Sequence, residues 1–230
     1  MSKFIVEDKI FEEFPNLKIG LVVCNSIDNN KELSQSFYEE FSKEKEFVKN
    51  KFNDVALAEY PIIHKWREVY KSFGEKKARS SIEALIRRTV NGNDIPKINP
   101  IVDIYNMISI KYELPCGGED LDRIDSDIVL GYASGDEKFV ELGSNDEEIV
   151  NVGEIVYKFD DVVICRNFNY RESDITKLTN DTTNCVLVIE SILDSNIYTA
   201  LEELSSLVES NLGGNCNILL LDKDNNEVDM

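Results

Sequence analysis

The sequence offers little from which to build a nucleophilic or metal-assisted enzyme. Of its 230 residues one is histidine and five are cysteine. Cys24, Cys116, Cys165, Cys185 and Cys216 are odd in number and widely spaced, and no CxxC occurs. That argues against a disulfide framework or a thiolate zinc site and fits a reducing cytoplasm. A Ser-His-Asp or Cys-His enzyme would rest on His64 alone, and histidine metal sites commonly use two or three. GxGxxG, Walker A, HExxH and GxSxG patterns are missing, so neither cofactor nor metal is expected. No apolar run approaches the roughly 20 residues of a membrane span. The opening residues lack an apolar signal-peptide core, so secretion is not expected. Bases are scarce: 25 Lys+Arg against 44 Asp+Glu give a net charge of −19 and a pI of about 4.4. This excludes a uniformly basic nucleic-acid binder, DNA included, and restricts any such contact to a local patch.

What is present suits a globular fold. Hydrophobic residues make up 42% and charged residues 30%, ample for a core without the composition of disorder. Residues 18–24 read as a strand, and residues 32–50 carry helical spacing at Leu33, Phe37, Phe41 and Phe47-Val48. Residues 61–73 form an amphipathic pattern with Ile62, Ile63, Trp66, Val69, Tyr70 and Phe73 inward. His64 lies off that stripe, which reads as a solvated residue. A capping box at Ser80 and Glu83 opens a helix that stops at Asn91-Gly92. Asn99-Pro100 opens another, running to about Glu113.

The second half reads as strands and turns: 128–132, 138–142, 154–158, 162–165 and 185–189, then a helix near 197–209 and a strand at 216–221. Helices early and strands late predict an α+β fold with a mixed or antiparallel β core. Cys24, Cys165 and Cys185 lie in apolar runs and read as core thiols. Cys116 falls in Leu114-Pro115-Cys116-Gly117-Gly118, read as a loop that could expose it.

Charge is unevenly spread. Residues 65–97 hold nine bases and four acids, a local +5 against −24 for the remainder. Arg87 and Arg88 stand near a helix C-terminus, where the dipole favours cations. The segment admits two readings, a solvated helix face or an anion site for phosphates. On the 100–113 helix, Asp103 and Asn106 are three apart and share a face beside the apolar stripe. Asp103 either ties down the following loop or lines a cavity, and Asn106 is a site candidate. Gly117-Gly118 permits close approach of another strand or of a ligand.

Three blocks carry a resemblance. They are residues 81–88, then Ile98-Asn99-Pro100-Ile101-Val102-Asp103-Ile104-Tyr105-Asn106, then Leu114-Pro115-Cys116-Gly117-Gly118-Glu119-Asp120. With Gly153-Glu154, Arg171-Glu172 and residues 181–190, this series resembles the B3/B4 domain of the phenylalanyl-tRNA synthetase β subunit, and more closely its freestanding relatives. The resemblance covers about residues 55–222. It implies a B3/B4-like domain at 55–230 with an N-terminal α/β extension at 1–54, together one compact unit.

In the synthetase that domain is an editing module that hydrolyses the ester of tyrosine on tRNA for phenylalanine. Carried over, the site asparagine falls on Asn106, the loop proline on Pro115 and the glutamate near Glu172. The loop histidine falls on Gly117, so it is missing here. The resemblance therefore implies a freestanding cytoplasmic aminoacyl-tRNA deacylase, a hydrolase and RNA-binding protein. Asn106 and Glu172 would be catalytic, Asp103, Pro115, Gly117 and Gly118 substrate-binding, and Arg79, Arg87 and Arg88 tRNA-binding. Its partners would be tRNA and an amino-acid moiety, with no membrane and no DNA. The alternative is a non-catalytic module for an amino acid or another small ligand. Ester hydrolysis without imidazole is chemically sufficient, because an aminoacyl ester is already activated and needs a positioned water and a held oxyanion.

Overall fold

Buried strands, rather than helices, determine where the site lies. The structure is a computed structural model describing residues 2–75, 77–193 and 197–230; Lys76 of the basic segment lies outside the described residues. The chain begins with β1 (Lys3–Val6), α1 (Asp8–Glu13) and β2 (Lys18–Asn25), then α2 (Gln35–Phe52), α3 (Pro61–Ser72), α4 (Ser81–Val90) and α5 (Pro100–Tyr112). It continues through β3 (Cys116–Asp120), β4 (Ile128–Tyr132), β5 (Lys138–Val140), β6 (Glu147–Ile149), β7 (Ile155–Phe159), β8 (Val162–Arg166) and β9 (Arg171–Glu172). The last elements are β10 (Cys185–Ser191), α6 (Ile197–Leu212), β11 (Asn215–Leu221) and β12 (Glu227–Asp229).

Two sheets result. The larger runs β12-β1-β4-β7-β8-β5-β6, with β9 added beside β8; β1/β4 and β5/β8 are parallel and the other pairs antiparallel. The smaller is antiparallel throughout and runs β11-β2-β10-β3. The mixed β core, with most helices preceding it, is the α+β class expected. Residues 1–54 supply β1, α1, β2 and α2. Among these, β2 sits between β10 and β11, and Phe4, Leu21 and Phe41 share one core with Ile108 and Leu187.

Local signals account for the helix boundaries. Ser34 Oγ accepts from the Phe37 amide and Asn99 Oδ1 from Val102, each at 3.2 Å, starting α2 and α5. Ser80 Oγ accepts from Glu83 N at 3.3 Å, but the Glu83 carboxylate does not close the box; it turns to Arg67 and Arg87. Helix α5 is buried on every side from Ile101 to Ile110, so Asp103 and Asn106 are interior residues. β1, α1 and β12 had no expectation from the sequence, being short, and α1 and β12 are rich in charge.

The stretch read as a loop at 116–118 is strand. β3 pairs with β10 from Cys116↔Ile189 to Asp120↔Cys185, and Cys116 is buried. Two glycines look like a turn, yet here they let an edge strand lie against its neighbours without side chains.

Candidate active site

Two segments of the resemblance, the end of the 114–120 block with Asp122 beyond it and residues 182–184, bond to each other. Asp120 Oδ2 accepts from Thr182 Oγ1 at 2.7 Å, and Asp122 accepts from Thr183 and Asn184 at 2.9 and 2.7 Å. Asn99 Nδ2 donates to Leu178 O at 3.0 Å, and Asn29 joins Asn99 to Thr179. These side chains fix the β3 edge and the segment before β10, so much of the fixed spacing builds the scaffold.

Beyond that edge lies a cavity of about 30 Å³, walled by Pro115, Gly117, Gly118, Phe168 and Val188, and by Glu119, Glu172 and Glu190. The volume suits one or two waters. Burial pushes Glu172 and Glu190 up to about 7 and Glu119 well above the usual carboxylate range. The partners of Glu119 and Glu190 are neutral donors. Thr176 Oγ1 donates to Glu119, Tyr157 Oη to Glu190 at 2.6 Å, and Asn169 Nδ2 to the second Glu190 oxygen. Asn169 follows Asn167 and Phe168, both left-handed with φ of 52° and 57°. Such a turn is strained for a buried phenylalanine and aims Asn169 into the wall. The Ser81 amide and Tyr70 Oη hold its carbonyl at 2.8 and 3.2 Å.

The twin glycines have different duties. A Cβ on Gly117 would stand 2.9 Å from Glu172 Oε1, so this glutamate occupies the room beside the missing side chain. A Cβ on Gly118 would instead strike Leu187 at 2.7 Å and Leu178 at 3.0 Å in the core. Ladder parity adds a donor. Glu190 N reaches Pro115 O at 3.1 Å and Leu121 N reaches Asn184 O at 2.9 Å, which places the 117/188 and 119/186 pairs in the hydrogen-bonded class. The Gly118 amide therefore points away from β10 along the open edge, as the Asp120 amide does in reaching Thr176 O at 2.9 Å.

An open groove of about 530 Å³ adjoins the cavity; Asn169 and Glu172 line both, and Lys77, Arg79, Ser81, Tyr170 and Arg171 line the groove alone. Lys77 and Arg79 continue into a second hollow with Arg67 and Lys71. Successive residues of β9 divide the work, as strand alternation requires: Glu172 meets the cavity while Arg171 pairs with Glu141 and Glu148 at 2.7 and 2.6 Å.

Of the residues singled out from the sequence, Pro115, Gly117, Gly118 and Glu172 stand around this one cavity. Asn106 is buried on α5, which packs on β3, and is not part of the cavity wall. Asp103 accepts from Tyr38 Oη at 2.9 Å and from Ile98 N at 3.3 Å, and it lines a separate hollow with Lys97 and Asn30. Burial raises the Asp103 carboxyl. Arg87 Nε donates to Glu83 Oε1 at 2.7 Å and Arg88 Nε to Asp94 O at 2.5 Å, whereas Arg79, 3.8 Å from the same Glu83 oxygen, is well exposed and lines the groove. Burial pushes Glu83 up, but Arg67 and Arg87 outweigh it and hold the carboxyl below its usual range. His64 is exposed, 3.8 Å from Glu68. Glu119, Glu190 and Asn169 were not foreseen; an acid closing an apolar strand run, as at Val188-Ile189-Glu190, was the available signal. Among the described residues no group of three or more His, Cys, Asp or Glu is placed to hold a metal, and no helix is long and apolar enough to cross a membrane.

No curated protein matches this chain. Among solved structures it is similar to an N-terminal fragment of the phenylalanyl-tRNA synthetase beta-subunit from Pyrococcus horikoshii. The identity is 14% over 93% of this chain and 49% of that one, with a TM-score of 0.46, so the chain spans about half the length of that fragment. The sequence profile of the B3/4 domain matches residues 65–210, more than half the chain, and the chain belongs to the B3/4 domain family.

Proposed function

We propose that this B3/4 domain is an aminoacyl-tRNA deacylase acting in trans, hydrolysing the ester of a mischarged tRNA. One observation carries the reading: a base-lined groove and a carboxylate-lined cavity share a wall made of Asn169 and Glu172. Lys77 and Arg79 hold phosphates of the acceptor strand in the groove, locally reversing a global charge of −19. The amino group of the aminoacyl ester enters the field of three carboxylates, of which Glu119 and Glu190 have neutral donors.

Glu172 faces both spaces. With its carboxyl at about 7 it is poised at neutral pH to accept a proton from water as that water attacks the ester carbonyl. The Gly118 amide on the free edge of β3 is the donor for the developing oxyanion. The scheme needs no imidazole, thiolate or metal. A second reading, small-amine binding without hydrolysis, is favoured by the cavity's small volume.

The test is ester loss on a panel of correctly and incorrectly charged tRNAs. Acceleration on one mischarged member is expected, falling roughly tenfold to a hundredfold in Glu172→Gln. The rate should rise with pH through about 7, as the base ionises. Lys77→Glu with Arg79→Glu should weaken tRNA binding and flatten its salt dependence. No acceleration on any member, with amino-acid binding intact by calorimetry, would leave the second reading in its place.

A further inference from the structure

Three of the five cysteines form a row across the smaller sheet. Cys216 on β11 lies opposite Cys24 on β2, and Cys24 lies opposite Cys185 on β10. Directly opposed residues share a face. Here it is the face under α6, since a Cβ on Gly20 of the same strand would meet Leu201 and Ile197. All three thiols are free, Cys24 and Cys185 buried, and Cys216 partly exposed on the edge strand.

Ladder parity separates the two neighbours of Cys24. Even-numbered residues of β10 bond to β3, as Glu190 N to Pro115 O shows. Odd-numbered residues, Cys185 among them, therefore bond to β2, and the backbone of Cys24 faces β10. The 24/216 pair is then of the non-hydrogen-bonded class. In agreement, the Cys216 amide donates to the Glu209 side chain at 2.8 Å. Such pairs bring Cα atoms to about 4.5 Å, inside the window a disulfide spans. The two sulfurs already stand 2.7 Å apart.

We propose that Cys24 and Cys216 are an oxidisable dithiol that closes to a cross-strand disulfide, fastening the edge strand β11 to β2. The oxidant is a low-molecular-weight disulfide. The Cys216 thiolate, the accessible partner, attacks one sulfur of that molecule, forming a mixed disulfide and releasing one small thiol. Cys24 Sγ, losing its proton to solvent, then attacks Cys216 Sγ and expels the second small thiol. Two protein thiols are oxidised and one disulfide is reduced to two thiols. Hydrogen bonds with neighbouring thiols, Cys185 for Cys24 and Cys24 for Cys216, together with burial hold both thiols well above the usual range, so closure is slow and favours alkaline pH.

The test treats the folded full chain with glutathione disulfide at pH 8.5, then counts thiols after denaturation and maps peptides by mass spectrometry. Thiols should fall from five to three, with Cys24 and Cys216 peptides joined and no glutathione retained. The Tm should rise by roughly 5–15 °C and return with dithiothreitol. Cys185→Ser should still close, and Cys216→Ser should not. Five remaining thiols, glutathione left on Cys216, a bond from Cys24 to Cys185, or one between two chains would each overturn the proposal. The wild-type map decides the matter even if a variant fails to fold.

Discussion

Glu154, Glu137 and Glu83 each meet a cation where they leave solvent. Arg166 grips Glu154 through Nε and Nη2 at 2.6 and 2.7 Å, Lys158 reaches Glu137 at 2.6 Å, and Arg67 forks onto Glu83 at 2.9 and 2.6 Å. Glu119, Glu172 and Glu190 are as deeply set, yet among the described residues no lysine or arginine pairs with them. The consequences run in opposite directions. Burial raises Glu137, but Lys158 and the amides of Ser134 and Gly135 bring it down to about 2, whereas burial alone takes Glu172 up to about 7. A chain that supplies lysine or arginine to carboxylates elsewhere, and gives Glu119 only Thr176 and Glu190 only Tyr157 and Asn169, has a cavity suited to a cation or a proton from outside.

Breaking a paired cluster should have the largest effect. Arg166→Met strips the buried Glu154 carboxylate of its fork and Glu148 of one partner, and should cost about 3–5 kcal/mol. In thermal melts that is a fall of roughly 6–20 °C. A loss under 2 °C would mean the pairing has no structural weight and the contrast fails.

The cavity carboxylates should respond the other way. Glu190 is raised in the folded state from an ordinary value of 4.5 to about 7, so its stabilising neutral form is fully present below pH 4.5 and lost as pH rises through about 7. Glu190→Gln should therefore gain up to about 3 kcal/mol over wild type at pH 8 and little at pH 4. Denaturant titrations at both pH values check this. An equal difference at the two would show that Glu190 does not titrate in the cavity.

The smallest effects sharpen the picture within the twin glycines. Gly118→Ala should cost about 1–3 kcal/mol by overpacking Leu187 and Leu178. Gly117→Ala meets only the mobile end of Glu172, so stability should stay within about 0.5 kcal/mol while deacylation falls as the carboxylate is displaced. Equal stability losses for the two would merge duties that the strand's alternation keeps apart.

That alternation also marks how far the sequence could be read. Periodicity sufficed for α3, α4 and α5, because Trp66, Ile82 and Ile104 recur at helical spacing and serine or asparagine caps begin two of them. β4, β7, β8 and β10 announced themselves as apolar runs between turns. β3 did not, since glycine pairs carry no hydrophobic signal and only the partner β10 makes them strand. Pro115, Gly117, Gly118 and Glu172 could be named through the family resemblance, whereas Glu119, Glu190 and Asn169 depend on register between strands distant in sequence. For the same reason Arg87 read as free charge: only the folded structure brings Arg67 and Arg87 to one carboxylate. Asn106 shares its helix with the stripe, but the orientation of α5 over β3 is a tertiary fact.

The position of β2 has a kinetic consequence. It is flanked on both sides by strands made much later, with Cys24 meeting a residue 192 positions onward and Ser26 one 158 onward. During synthesis this apolar segment, Ile19 to Cys24, emerges early and waits without edges to join. Closing such long loops is slow, and an unpaired hydrophobic strand is prone to mispairing in the interval. Nascent chains halted before residue 185 should therefore need a chaperone to stay dispersed, whereas chains reaching residue 221 should not.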